Sequence, residues 1–318
     1  MQNRRRDWLR LLPRLTAVLG LMGCAVAPVS SPYPANRPAR PAMAVPVVVE
    51  TPASAAMRTY YAQVQTSLLA QGLLRTDGGG EDTPFDDRRL AETFLKIALF
   101  NEYSRNAGRT VQQQSVSTLR RWQEPVRVGL RFGSSVPAER QASDRALVTS
   151  FMQRLSGLTA LSITLDETRP NFYVYFVSED ERQALGPQLR AAMPQLSANE
   201  VSGITNLPRS TYCVALTQSE GDSSVYNRGF IVIRAEHPDL MRLSCIHEEM
   251  AQALGLPNDS PQARPSIFND DEEFALLTRQ DELMLRMLYN PAFRPGMRLA
   301  QARPIAERLA ADLLAGAS

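Results

Sequence analysis

The chain has 318 residues, a formal net charge of +2 and a hydrophobic fraction of 44%. These values allow one medium-sized globular domain with additional segments. No block of like charge is long enough to suggest a nucleic acid as partner, and Lys96 is the only lysine.

Residues 1–23 are predicted to be a targeting segment. Three arginines at positions 4–6 precede a short apolar run, Leu9–Leu21, which polar residues and a proline interrupt. This run is too short and too broken to cross a bilayer as a helix. It ends in Leu-Met-Gly-Cys24, which resembles a bacterial lipobox, in which the cysteine is acylated and becomes the mature N-terminus. An ordinary signal peptide is the alternative. Ala25, in place of an aspartate after the cysteine, favours the outer membrane and a periplasm-facing protein.

Residues 24–54 are predicted to form a tether behind the lipidated Cys24. Small and β-branched residues alternate there with prolines, namely Pro28, Pro32, Pro34, Pro38, Pro41, Pro46 and Pro52. Neither helical nor strand periodicity is present. Such a segment is typical of an extended spacer that reaches up to about 3 Å per residue.

Residues 55–120 have a helical pattern. Apolar residues recur at three- and four-residue steps from Met57 to Leu73 and again from Leu90 to Tyr103. The glycines at 78–80 end the first helix, and Asp86 or Asp87 can cap the second. The apolar stripes are interpreted as packing surfaces of an N-terminal helical extension.

Residues 121–297 alternate between strand and helix patterns. Strands are predicted at Val126–Phe132, Leu161–Leu165, Phe172–Val177, Tyr212–Leu216 and Phe230–Ile233. Helices are predicted after Ser143, near 181–185 and 189–193, over Asp239–Leu254, and from a capping box of Thr278 and Asp281 to about Tyr289. This alternation predicts an α/β (α+β) domain with a mostly parallel five-stranded sheet. Residues 298–318 are predicted to be a C-terminal helix or tail.

The segment from Cys245 to Tyr289 contains the most informative motif. It reads Glu-Glu-x-x-Gln-x-Leu-Gly-x-x-Asn from Glu248 and continues to Ser-Ile-Phe268. This spacing resembles the metzincin zinc peptidases, above all the matrixin-like ones, whose active helix carries H-E-x-x-H-x-x-G-x-x-H and is followed by a methionine turn. Aligned on Gly255, the zinc-histidine positions hold Glu248, Gln252 and Asn258, the general-base position holds Glu249, and the turn-methionine position holds Phe268. The resemblance implies a metzincin-like fold with an active-helix equivalent.

The two histidines of the chain, His237 and His247, do not restore a zinc motif. Side chains four residues apart share a helix face, and the residue four beyond His247 is Ala251. No H-E-x-x-H therefore exists, and three histidines cannot meet in one copy. His237 precedes Pro238 and is expected in the loop that enters the helix.

The longer pattern Glu-Glu-x-x-Gln-x-Leu-Gly-Leu-x-Asn-Asp, followed by Pro-Ser-Ile-Phe-Asn-Asp, is also similar to a family of proteobacterial lipoproteins, domain of unknown function 2927. This resemblance covers roughly Arg121 to Met297. It implies little about activity.

The donors at the three zinc positions are one carboxylate and two amides, whereas zinc favours histidine nitrogen and thiolate. We therefore predict no catalytic residue, no metal and no cofactor. We expect a hydrogen-bond network instead, in which the Gln252 amide donates to Glu248 and Asn258 closes the cluster. The acidic run at 270–273 lacks the ligand spacing of a calcium loop and is expected to be a solvated approach to the next helix.

Three functions fit these residues. The first is a lipid-anchored pseudopeptidase that binds a peptide, a glycan or an envelope protein, with an edge strand able to pair with an extended peptide. The second is an atypical metal-dependent hydrolase, in which Glu248, Gln252 and Asn258 hold a hard cation and Glu249 is the base. The third is a structural envelope lipoprotein.

Cys213 and Cys245 remain once Cys24 carries lipid, and an even pair in an oxidising compartment favours a disulfide. The metzincin resemblance implies that Cys213 lies on the edge strand above the cleft, and Cys245 lies one turn before Glu248. Two buried free thiols are the alternative.

We predict that Cys24 is the lipidated mature N-terminus, because a basic, apolar leader ends there and a proline-rich tether follows. The intact mass of membrane-extracted protein should equal the chain from Cys24 plus its acyl groups. An unmodified Cys24, or cleavage at another residue, would contradict the prediction.

Overall fold

The computed structural model describes residues 50–106, 109–269 and 271–316. The predicted leader, Cys24 and most of the predicted tether lie outside the described residues.

Two helices begin the described chain, α1 (Pro52–Ala70) and α2 (Asp87–Ala98). α1 begins after Thr51, whose side chain accepts a hydrogen bond from the backbone N–H of Ser54. The last residues assigned to the tether are therefore helical. α2 begins after Asp86, as predicted, and the Asp86 carboxylate accepts from the N–H of Arg89 at 2.7 Å.

The chain beyond α2 departs from the predicted helical pattern. β1 (Phe100–Asn106) and β2 (Arg109–Val116) pair antiparallel as a separate two-stranded sheet. The segment is mostly polar, so its few apolar residues show neither the helical nor the strand period clearly. The prediction of helix up to residue 120 is wrong here for that reason.

The main sheet has six strands rather than the predicted five, because a two-residue strand joins it. The strands are β3 (Arg121–Trp122), β4 (Val126–Phe132), β5 (Ile163–Leu165), β6 (Phe172–Val177), β7 (Cys213–Ser219) and β8 (Val225–Arg234). Their order is β3-β8-β6-β4-β5, all parallel, and β7 pairs antiparallel with β8. The predicted α/β class with a mostly parallel sheet is confirmed.

Seven further helices lie between and after these strands in the described part of the chain. They are α3 (Ala138–Thr159), α4 (Glu179–Gln183), α5 (Gly186–Ala192), α6 (Ala198–Thr205), α7 (Asp239–Gln252), α8 (Arg279–Leu288) and α9 (Leu299–Ala315). α3 begins five residues before the predicted cap Ser143. α6 was not predicted, although Ser197 and Glu200 form a capping box at its start.

The sheet is covered on both faces. Phe230 and Val232 of β8 pack with Leu189, Val201 and their neighbours in α5 and α6, which form a small separate apolar cluster. The alternate residues of the strands enter the main core with α3, α7 and α8. α7 therefore packs on the sheet at β7 and β8, beside α3.

The N-terminal helices are part of this unit. Tyr61 of α1 is buried beside Met241 of α7, and Phe94 of α2 packs against Phe293 at 5.0 Å between ring centroids. All described residues belong to one compact unit. None of the helices in the described part is long and apolar enough to cross a membrane.

Cys213 and Cys245 form a disulfide, with their Cα atoms 5.9 Å apart. Cys213 is the first residue of β7 and Cys245 lies on α7. The predicted pairing is confirmed, and it joins the antiparallel edge strand to the helix below the sheet.

We predict that replacing both cysteines by alanine lowers the free energy of unfolding by about 3–4 kcal/mol, because the disulfide closes a loop between residues 32 positions apart in the unfolded chain. Guanidinium unfolding of the oxidised protein and of the double variant measures the difference. The reduced wild-type protein should resemble the variant. Equal unfolding midpoints for all three would contradict the prediction.

Candidate functional site

Helix α7 ends where the motif alignment places the end of an active helix. Gly255 follows it with a φ of +126°, in the region that favours glycine. A Cβ at Gly255 would lie 2.2 Å from the carbonyl oxygen of Arg120, so no other residue fits without movement of the backbone. The prediction that Gly255 ends the helix agrees with this geometry.

The residues at the first two zinc-ligand positions lie on the last turns of α7. Glu248 is partly exposed, and the neighbouring Glu249 is buried. The side-chain amide of Gln252 donates to Oδ1 of Asp259 at 2.9 Å. We expected this amide to donate to Glu248, so the bond instead joins the helix to the loop that follows it.

Asn258, at the third ligand position, is fully buried. Its side-chain Nδ2 donates to the backbone carbonyl oxygen of Lys96 in α2 at 2.9 Å. The side-chain amide is therefore used to hold the loop against α2. We expected Asn258 to bond with Glu248 and Gln252. Among the described residues it bonds with Lys96 instead.

Phe268, at the position of the turn methionine, is a fully buried core residue. The turn before it is held by the carboxylate of Asp281, which accepts from the hydroxyl of Ser266 at 2.5 Å and the N–H of Ile267 at 3.0 Å. The same carboxylate accepts from the N–H of Thr278 at 2.8 Å, which confirms the predicted capping box of α8. Burial outweighs these donors and raises the pKa of Asp281 to about 6.

Both histidines are buried in the core. His247 stacks on Phe151 with 4.0 Å between ring centroids, and its Nδ1 accepts from the N–H of Leu277 at 3.1 Å. Burial lowers the pKa of His247 to about 3. His237 lies in the loop before α7, as expected, against the ring of Tyr61, and burial lowers its pKa well below the ordinary value. Both imidazoles are therefore neutral near pH 7.

The residues present do not fit zinc. Among the described residues, no three histidine, cysteine, aspartate or glutamate side chains lie close enough together to hold a metal ion. In the acidic run at 270–273, Glu273 does not serve as a metal ligand. Its side chain is buried, and its carboxylate is paired with Arg264 at 2.6 Å and with Arg75 at 3.0 Å. Our expectation of a solvated acidic segment is therefore wrong for Glu273.

A cleft of about 690 Å³ lies between α2, the loop at 260–263 and α9, and we call it the α2–α9 cleft. Sequence reasoning missed it. Its α2 wall is formed by Arg89, Glu92, Thr93 and Lys96, which lie on one helical face, although Leu95 also contributes. The cleft begins two residues beyond Asn258. The only signal in the sequence was this polar stripe on an otherwise buried helix.

We predict that His247→Gln makes the protein less sensitive to acid. Because the folded pKa of His247 lies below the ordinary value of 6.5, the unfolded chain gains a proton first, and stability is lost as the pH falls below 6.5. Between pH 6.5 and 4.5 the wild type should lose about 2 kcal/mol more than the variant. Urea unfolding at the two pH values measures this, with the exposed Gln63→Ala as control. Equal losses in His247→Gln and wild type would contradict the prediction.

A family model described as "Protein of unknown function (DUF2927)" matches residues 87–308. Comparison with curated proteins returns no significant match. The matched segment begins at the first residue of α2 and ends within α9, so it is wider than the range from Arg121 to Met297 over which the resemblance was expected. The α2–α9 cleft lies entirely inside it. Because the match covers more than half of the 318 residues, the chain belongs to the DUF2927 family.

Proposed function

We propose that the protein is a lipid-anchored protein of the bacterial cell envelope, with a metzincin-like scaffold that binds a ligand and does not hydrolyse peptides. The leader that ends at Cys24 and the proline-rich tether support the anchor and a periplasm-facing position. The ligand would be a peptide, a glycan or an envelope protein.

The arrangement around α7 supports the metzincin-like scaffold. α7 ends at Gln252, Gly255 turns the chain three residues later, and the turn at 265–268 that follows is fastened to α8 by Asp281. An antiparallel edge strand, β7, is attached to the same helix through the disulfide. These parts follow one another in the order that the resemblance implies.

The burial of Asn258 is the observation that carries the non-catalytic interpretation. A zinc peptidase needs its third ligand directed at the metal, whereas the Asn258 amide donates to the Lys96 carbonyl. The remaining positions offer the carboxylate of Glu248 and the amide of Gln252, whose nitrogen donates to Asp259. Such a set of donors has no histidine or thiolate for zinc. Without a cation to acidify a water molecule, Glu249 has no activated nucleophile to serve as base.

Two surfaces support a binding role. The edge strand β7 pairs with β8 on one side, and its other edge can add an extended peptide by strand pairing. The α2–α9 cleft has the volume of a small-molecule site, for which about 300–1,000 Å³ is typical.

We predict that the purified full chain contains no stoichiometric metal and does not cleave an unfolded protein substrate such as casein. Elemental analysis and a peptidase assay, run beside a zinc peptidase as positive control, measure both properties. Glu248→Ala and Gln252→Ala should leave the metal content unchanged. Stoichiometric metal and peptidase activity, both lost in these variants, would overturn the proposal in favour of a metal-dependent hydrolase.

We predict that Asn258→Ala lowers the free energy of unfolding by about 1–3 kcal/mol, because it removes the hydrogen bond that the fully buried Asn258 side chain donates to the Lys96 carbonyl. Chemical denaturation measures the loss. The matched control is Asn227→Ala at an exposed position of β8, which should change stability by no more than about 0.5 kcal/mol. An Asn258→Ala protein as stable as wild type would show that the bond does not hold the loop.

A further inference from the structure

We propose that the α2–α9 cleft binds an amphiphilic anion, meaning an oxyanion head group joined to an apolar tail. This inference rests on the proposed function, because it names the class of ligand that the binding protein takes.

Two cations in the cleft have only neutral partners. The ammonium group of Lys96 donates to the side-chain oxygen of Gln262. The guanidinium of Arg89 donates to the backbone oxygens of Arg264 at 3.1 Å and Gln262 at 3.4 Å. Within the described part of the chain these are the acceptors of both groups, and none of them is a carboxylate. An oxyanion would form stronger, charge-assisted hydrogen bonds to the same donors.

The third cation of the cleft is already neutralised. Arg303 of α9 pairs with Glu92 of α2 at 2.5 Å and lies 3.8 Å from Glu307. This pair joins the two helices across the cleft. The net positive charge of the cleft therefore comes from Lys96 and Arg89.

Hydrogen bonds fix the loop at 260–263, which faces the two cations. Ser260 is buried, and its N–H donates to the carbonyl oxygen of Phe268 at 2.9 Å. Its hydroxyl donates to the side-chain oxygen of Gln262 at 2.9 Å, which is the atom that also accepts from Lys96. Asn258 fastens the start of the loop to α2. The donors are therefore positioned before a ligand arrives, which reduces the ordering cost of binding.

The rest of the wall is apolar and suits a hydrocarbon group. Leu95 and Phe100 contribute from the α2 side, Pro261 and Ala263 from the loop, and Leu299 from α9. Binding sites for small molecules combine such apolar walls with a few fixed polar groups. An anion without an apolar part would leave this wall in contact with water, and an uncharged apolar molecule would leave two cations without a counter-ion. An amphiphilic anion satisfies both parts.

The test uses the single lysine as a reporter. The full chain is produced with Cys24→Ser, so that no acyl group is attached, and its amines are methylated reductively with ¹³C-formaldehyde, which keeps their charge. Because Lys96 is the only lysine, one dimethyl-lysine NMR signal is expected besides that of the α-amine, and Lys96→Arg identifies it by its loss. Decanoate and decyl phosphate are titrated separately, with decanol and decyltrimethylammonium as uncharged and cationic controls.

We expect a saturable shift of the Lys96 signal with at least one of the two anions and none with the controls. The anion that binds more tightly identifies the head group as carboxylate or phosphate. Calorimetry should show affinity reduced about ten-fold or more in Lys96→Met, since a hydrogen bond to a charged group is lost. Lys96→Arg should bind within a few-fold of wild type, and affinity should fall as salt is raised.

Arg88→Met is the matched control. It removes one positive charge from the exposed surface of α2, outside the residues that line the cleft, so its affinity should stay within about two-fold of wild type. The proposal is overturned if neither anion shifts the Lys96 signal, if decanol shifts it equally, or if Lys96→Met binds as wild type does. These failures leave the metal and peptidase results unaffected, so they are distinguishable from a failure of the proposed function.

Discussion

The hydrogen bond from the Asn258 amide to the carbonyl oxygen of Lys96 joins the loop after α7 to helix α2, and the rest of the α2–α9 cleft depends on this contact. The loop after α7 can approach α2 because the chain turns at Gly255, where a side chain would meet the Arg120 carbonyl. Once the loop is bound to α2, the side-chain amide of Asn258 is used for packing. The same contact brings Ser260 and Gln262 opposite Lys96 and forms one wall of the α2–α9 cleft. A single contact thus occupies the Asn258 amide and shapes one wall of the cleft.

Helix α7 is attached to its surroundings by bonds that need no metal ion. The disulfide from Cys245 fastens it to the edge strand β7. His247 accepts from the backbone of Leu277, and Gln252 donates to Asp259 in the following loop. The covalent link therefore fixes α7 to the sheet edge, and the hydrogen bonds fix it to the following loop and to the segment before α8.

Three buried arginines of the core have carboxylate partners, whereas the two cations Lys96 and Arg89 of the cleft have neutral partners. Arg242 is paired with the buried Asp144 at 2.9 Å, and Arg234 and Arg182 share the carboxylate of Glu179. A buried cation without a counter-ion is costly, so the interior matches each of these guanidinium groups with a carboxylate. Lys96 and Arg89 are closer to solvent and donate to neutral oxygens instead. This contrast is what makes the cleft, rather than the core network, a candidate for an anionic ligand.

The sequence by itself determined the elements whose signals are local. The strands Val126–Phe132 and Phe172–Val177 agree with prediction to the residue, because the first alternates as a strand does and the second is a short apolar run. The capping box of Thr278 and Asp281 was readable from its spacing alone.

The tertiary structure decided the partner of Asn258, the pairing of β1 with β2, and the α2–α9 cleft. Each of these joins residues far apart along the chain or depends on a surface without a clear period. Lys96 and Asn258 are 162 positions apart, and Glu92 and Arg303 are 211 apart. Local periodicity and capping signals act within a few residues, so they contain no information about which distant helix or loop a polar side chain meets.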